Sequence, residues 1–340
     1  MRVLPLLALV LFALATAAPA RAQGRLVLYC SALIDWCQIM SAEFERRTGI
    51  KVAMTQKGSG ETLAQIRAEA ANPRGDVWWG GTGDPHLQMA ELGLSEVYRS
   101  PALATLHPWA RRQAEMGQFR TVGIYAGALG FAFNTELLAK KKIAAPACWS
   151  DLLDAKFRDE IQIANPASSG TAYTAIATLV QIMGEEPAFA YLAKLHANIN
   201  QYTRSGVAPA RNTARGETTV GIGFMHDAVA EALEGFPVAV QGPCEGTGYE
   251  IGSMSIIKGG PNPESAKAWY EFALKPDVQS LASKGKSYQV PSHPEAVLPD
   301  KAPKLDRIKL IAYDFAKYGT SAERKRLIDR WEKEIGGRPK

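Results

Sequence analysis

The chain has 340 residues, of which 46% are hydrophobic and 21% charged, an ordinary globular composition long enough for two separate cores. Its 39 basic and 34 acidic residues leave a net charge of +5, too weak and too dispersed to argue for a nucleic acid partner. Lys140–Lys142 and the 324–340 tail are its basic clusters, and each reads as a solvated helix face or end.

Residues 1–22 stand apart. Arg2 supplies a positive start, Leu4–Ala18 an apolar run, and Ala20-Arg21-Ala22 an A-x-A cleavage site, so a signal peptide is expected and the mature chain should begin at Gln23. The apolar run is about 15 residues, short of the roughly 20 that span a bilayer, and no later stretch is longer. The mature protein is therefore expected outside the membrane rather than embedded in it. Its four cysteines, Cys30, Cys37, Cys148 and Cys244, form an even set with three possible connectivities. The expected pairs are Cys30–Cys37, a local clip, and Cys148–Cys244, which closes a long loop. No C-x-x-C occurs, and an oxidising compartment favours disulfides over a metal site.

In chain order, Arg25–Cys30 is a short apolar run expected as a buried strand, and a helical pattern follows over 34–48, ended by Gly49. Strands are expected at Ile50–Met54 and Asp76–Trp79, with helices at Thr62–Ala71 and Pro85–Leu92. This β-α-β-α-β-α rhythm predicts an α/β fold with a parallel sheet and covering helices. Each of these strands ends in a small-residue loop: Ser31-Ala32, Gly58-Ser59-Gly60 and Gly80-Gly81-Thr82-Gly83. Ligands of open α/β sheets sit beyond the carboxyl ends of strands, so the loops should line one cleft. Free amides at the helix starts that follow favour an anion.

Tyr125–Asn134 is extended and glycine-rich, and is expected to cross into a second lobe. There, Trp149–Leu153 should start a helix, Ile161–Ala164 form a strand, and Pro166-Ala-Ser-Ser-Gly-Thr171 lead into a long apolar helix ending near Met183. Ser168, Ser169 and Thr171 make this loop the strongest anion candidate, although an N-cap alone would also explain Ser169. Helices over 187–197 and 209–216 flank a strand at 200–202. Val220–Met225 reads as a buried strand ending in His226 and Asp227. The loop Gly246-Thr-Gly-Tyr-Glu250 opens a returning strand, Gly252–Ile257. A helix over 262–274, capped by Asn262, and a charged helical tail over 305–337 complete the chain.

Catalytic patterns fail in turn: there is no G-x-S-x-G, Walker A, H-E-x-x-H or G-x-G-x-x-G after the first strand. His226-Asp227 alone could suggest a metal-dependent phosphohydrolase, but no second cluster supplies further ligands. No catalytic residue, metal ligand or cofactor is therefore expected. Polar side chains at strand ends, framed by glycines, suit a sugar-sized or ionic ligand.

The extended Gly130-Phe-Ala-Phe-Asn134 crossing, the Gly246-Thr-Gly-Tyr-Glu-Ile-Gly252 return and the Asn262-Pro-Glu-Ser-Ala-Lys-Ala-Trp-Tyr-Glu-Phe272 helix resemble the type II periplasmic solute-binding proteins of ABC importers. The likeness is to their ferric-iron-binding branch, and within it to the hexose-phosphate binders. It implies a two-lobed type II fold with mixed, mostly parallel sheets and a hinge of crossing strands. Lobe 1 would hold 23–127 and 251–300, and lobe 2 would hold 128–250 and 301–340. It also implies a periplasmic monomer that closes on a small anionic ligand and delivers it to an inner-membrane ABC permease.

Iron binders of that branch carry a tyrosine pair where this chain reads Phe224-Met-His-Asp227, and no two tyrosines are adjacent here. They also use a histidine after the first strand and an acidic residue after the third, where this chain has Ser31-Ala-Leu-Ile34 and Gly80-Gly-Thr82. Hydroxyls and one imidazole do not replace phenolates and carboxylates around ferric iron. By contrast, His226, Asp227 and Glu250 match the trio with which the hexose-phosphate binders hold the sugar ring. The phosphate is then expected on helix starts and on Ser31, Ser59, Thr82, Ser169 and Thr171. A phosphonate and ferric iron are the alternative ligands.

Overall fold

The computed structural model describes residues 24–337, so the expected signal peptide lies outside the described residues. The first elements alternate as the apolar periodicity requires: β1 (Arg25–Cys30), α1 (Ile34–Thr48), β2 (Lys51–Gln56), α2 (Ser59–Ala68), β3 (Val77–Trp79) and α3 (Gly83–Glu91). Helix α1 buries Trp36, Cys37, Met40 and Phe44 on one face and stops at Gly49, whose left-handed backbone lets its N–H bond back to Glu45. Next come α4 (Pro108–Met116), β4 (Val122–Asn134), α5 (Thr135–Lys141), β5 (Ile161–Ala164), α6 (Gly170–Met183) and α7 (Glu185–Leu195). They are followed by β6 (Ile199–Thr203), α8 (Ala208–Ala214), β7 (Val220–Phe224), α9 (Met225–Leu233), β8 (Val238–Gln241) and β9 (Tyr249–Ile256). The remainder is α10 (Pro263–Ala273), α11 (Pro276–Gln279), β10 (Val290–Pro291), α12 (Phe315–Tyr318) and α13 (Ser321–Trp331).

The strands run in the order β2-β1-β3-β9-β4-β7-β5-β6, with β8 and β10 also on β4. Parallel pairs occupy the two outer parts, β1 with β2 and β3, and β5 with β6 and β7. The centre is antiparallel, because β9 returns between β3 and β4. The 13-residue β4 serves both halves: Val122–Ala128 pairs with β9, while Leu129–Phe133 pairs with β7. One core gathers Leu26, Phe44, Trp79, Trp269 and Phe272; the other gathers Phe131, Trp149, Ile161, Tyr173 and Leu192, with Leu327 and Trp331 of α13. These features make up the two-lobed α/β fold with mixed sheets and crossing strands that the resemblance implied. Cys30–Cys37 and Cys148–Cys244 are the disulfides, as expected. Among the described residues no helix is long and apolar enough to cross a membrane.

Four local expectations are corrected. The β7 strand ends at Phe224, so His226 and Asp227 stand in the first turn of α9 rather than on a strand end. Trp149–Leu153 is one 3₁₀ turn. Asn262 makes no side-chain cap on α10; its backbone N–H and side-chain amide both donate to buried Asp76, at 2.6 and 3.0 Å. The tail is not helical throughout. Thr247 bonds the backbone of Lys309 and Ile311, which holds that stretch extended, and regular α-helix appears only in α12 and α13.

Candidate ligand-binding site

Four helices without side-chain caps begin around one cavity. The residues preceding α1, α2, α3 and α9 are Leu33, Gly58, Thr82 and Phe224, and none gives its helix a side-chain cap. First-turn amides of these helices are thus left for another acceptor. The cavity encloses about 50 Å³ and is lined on one side by Ser31, Ser59, Thr82 and Thr171, and on the other by His226, Asp227 and Glu250.

The lobes are closed upon it. Arg204, after β6, pairs with Glu61 of α2, and Lys286 reaches Glu234 after α9 at 3.0 Å. Gly170 makes this approach possible: a β-carbon there would lie 1.9 Å from Thr82 Oγ1. Any larger residue would hold α6 away from the loop before α3.

On the trio side, His226 is buried against Phe224, with ring centroids 5.6 Å apart. Its Nε2 lies 3.6 Å from Asp227 Oδ1 and 3.7 Å from Glu250 Oε1, and Nδ1 has no hydrogen-bond partner. Beneath the ring is Gly127 of β4, where a β-carbon would fall 2.5 Å from Nδ1. Burial pushes the imidazole down to about 3, so it is neutral at pH 7. Burial raises Asp227 to about 7, opposed by Arg211. Glu250 is driven well above its usual range by burial first and then by Asp227 and Asp84. A neutral imidazole offers one donor and one acceptor, and the carboxyl groups accept from hydroxyls; the three together suit a polyhydroxylated group.

The opposite side is largely self-bonded. Ser31 Oγ receives Trp78 Nε1 at 2.9 Å and lies 3.0 Å from Thr62 Oγ1; Ser59 Oγ accepts from the backbone N of Thr82 at 3.2 Å. Thr82 Oγ1 is buried and unpartnered. Among the described residues no lysine or arginine lines the cavity. An anion here would be held by amides and hydroxyls rather than by a cation.

Seven of the eight residues singled out from sequence meet in this cavity. Ser169 does not: its Oγ accepts from Ala172 N and caps α6, behind Thr171. Sequence reading missed Tyr125 and Gln289. The Tyr125 hydroxyl accepts the Gly81 N–H at 2.8 Å, and burial followed by the Glu250 charge keeps its phenol protonated. Its alternating strand context reads as core, so only its tyrosine identity hinted at this contact. Gln289 follows an irregular stretch with no signal at all. Among the described residues, one group of three potential metal ligands lies close enough to share an ion, Cys148, Cys244 and Glu245, and its sulfurs are joined in a disulfide.

The family described as bacterial extracellular solute-binding protein matches residues 86–318. The periplasmic binding protein AfuA from Actinobacillus pleuropneumoniae, solved with exogenous fructose-6-phosphate bound, superposes with a TM-score of 0.90 at 50% identity, covering 93% of this chain and 99% of that one. The periplasmic binding protein P5PA superposes with a TM-score of 0.89 at 40% identity over 92% and 99% of the two chains. A putative 2-aminoethylphosphonate-binding periplasmic protein of Salmonella typhimurium is 27% identical over 293 residues, 80% of each chain.

Proposed function

The chain belongs to the bacterial extracellular solute-binding proteins, and from that premise we propose that it captures a sugar phosphate in the periplasm and presents it, as a closed monomer, to an inner-membrane permease. It is a binding protein of an ABC importer and not an enzyme. The finer reading rests on one observation: a single interlobe cavity has a hydroxyl-accepting trio on one side and uncapped helix starts with hydroxyls on the other. Sugar hydroxyls bond Asp227, Glu250 and His226, while the phosphate takes the amides of α2 and α3 together with Ser31, Ser59, Thr82 and Thr171. Ligand binding closes the cleft, because residues of both lobes are needed to surround one solute. The relative solved with fructose-6-phosphate supports this choice.

A phosphonate is the second reading, supported by the relative named for 2-aminoethylphosphonate. In that case the carboxylates of Asp227 and Glu250 would hold an ammonium group. Calorimetry with fructose 6-phosphate, 2-aminoethylphosphonate, inorganic phosphate and ferric citrate separates the readings. Fructose 6-phosphate is expected to bind, stabilising the protein by about 2.7 kcal/mol at 100 times its dissociation constant. Binding of the aminophosphonate or of ferric ion in its place would overturn the sugar assignment.

A further inference from the structure

Gln279 and Gln289 are buried to the same degree, each 6% exposed, yet only one of them is used by the fold. Gln279 donates Nε2 to Ser292 Oγ at 2.9 Å and to the Ala273 carbonyl at 3.3 Å, and its Oε1 accepts the His293 N–H at 2.8 Å. These bonds pin the chain just after β10. Gln289, just before β10, has a buried Oε1 with no hydrogen-bond partner, and it lines the ligand cavity. A buried amide oxygen without a donor is costly, and a methionine would fill the same place without that cost. The donor that this oxygen lacks is one that a solute in the cavity can bring.

The strand register fixes where Gln289 stands. Strand β10 runs antiparallel to β4, with Val290 opposite Ala126 and Pro291 opposite Tyr125. One step further on the same register sets Gln289 opposite Gly127, and opposed residues share a face of the sheet. His226 lies over that face: a β-carbon on Gly127 would fall 2.5 Å from His226 Nδ1 and 3.5 Å from Glu250 Oε1. His226 Nδ1 is buried and unpartnered as well. The two residues come from opposite lobes. Gln289 belongs with the half of β4 that pairs with β9, whereas His226 is on α9, which follows β7 on the other half. An amide oxygen accepts, and a neutral imidazole nitrogen that carries hydrogen donates. A hydroxyl satisfies both at once, donating to Gln289 and accepting from His226; a methylene satisfies neither. We infer that Gln289 is a specificity-determining residue, which together with His226 Nδ1 takes one further hydroxyl of the solute beside Gly127. The inference rests on the sugar-phosphate reading of the cavity.

The test crosses one protein substitution with single ligand hydroxyls. Titration calorimetry is run on the wild type and on Gln289→Met, which keeps the length of the side chain and removes its amide. The ligands are fructose 6-phosphate, its monodeoxy derivatives and inorganic phosphate. Gln289→Met is expected to weaken fructose 6-phosphate about tenfold and to change inorganic phosphate by less than about twofold. One monodeoxy derivative should bind the wild type about tenfold more weakly than fructose 6-phosphate, yet lose nothing more on the variant, since both changes remove the same bond. If Gln289→Met does not fold, the same crossing is made with Gln289→Asn, whose shorter arm withdraws the oxygen from the solute. Unchanged affinity for fructose 6-phosphate, an equal loss for inorganic phosphate, or a further loss on the variant with every monodeoxy derivative overturns the inference and leaves the sugar reading standing. Failure of the wild type to bind fructose 6-phosphate overturns the sugar reading itself, and this inference with it.

Discussion

The two sides of the cavity are built on opposite plans. The hydroxyl side is largely bonded to itself: Ser31 holds Trp78 and faces Thr62, and Ser59 holds the Thr82 amide, while Thr82 Oγ1 has no partner. Its helix starts supply fixed dipoles that need no rearrangement to meet an anion. The trio side is unfinished. Its carboxyl groups are buried and driven toward protonation, and one imidazole nitrogen has no partner. The difference implies a division of labour. The hydroxyl side accepts any suitably sized anion, while the trio side penalises a solute that fails to offer hydroxyls in the right places.

Substitutions on the two sides should therefore differ in size and in kind. Asp227→Ala and Glu250→Ala are each expected to weaken fructose 6-phosphate at least tenfold, roughly 1.4 kcal/mol, because each leaves ligand hydroxyls buried without an acceptor. Inorganic phosphate, lacking those hydroxyls, should be much less affected. Equal losses for both ligands in calorimetry would erase the proposed division. Gly127→Ala comes next. The added methyl meets His226 at 2.5 Å and must displace the ring, for an expected loss of about fivefold with little change in thermal midpoint. A crystal structure of that variant with the imidazole unmoved would contradict this account. Thr171→Val removes one hydroxyl among several anion donors and should cost only about twofold, equally for sugar phosphate and phosphate. A tenfold loss there would mean that the hydroxyl side carries the specificity.

Acidity offers a further test of the contrast. In the closed cleft, Asp227 holds its proton up to about 7, with Glu250 shifted in the same direction; opening rehydrates the trio side and returns both toward ~4. The closed form thus binds more protons between about pH 4 and pH 7, so falling pH favours closure and rising pH opposes it. His226, lowered to about 3 from an ordinary ~6.5, works the other way, as one site against two. The unliganded protein should be slightly more compact near pH 5 than near pH 8, and Asp227→Asn should reduce the change. A radius independent of pH would show that the trio stays hydrated in the absence of ligand.

The site was legible in sequence where function leaves local marks. Glycines before Ser59, Thr82 and Glu250, and a histidine beside an aspartate after a buried run, required no knowledge of distant neighbours. Alternating strands and small-residue loops likewise carried the α/β rhythm. What escaped depends on remote partners. Tyr125 reads as core until Gly81, 44 residues earlier, is seen to donate to it. Asn262 has the local chemistry of a helix cap, but buried Asp76, 186 residues away, is a stronger acceptor and takes its amide. The tail around Lys309–Ile311 has helical composition, yet Thr247 holds it extended. The β7 strand was read one residue too long, to Met225, because that residue continues its apolar run without a break.

The position of β9 has a consequence for how the protein is made. It lies between β3 and β4, yet it is encoded more than a hundred residues after either. A chain emerging from its amino terminus therefore has β1, β3 and β4 in hand but no central strand to join them, and the second core waits longer still for Leu327 and Trp331. Loop-closure entropy must be met before these distant pairings repay it, so neither lobe can complete itself early. The same interleaving that gives two lobes a shared strand also keeps the nascent chain open until nearly all of it has been delivered.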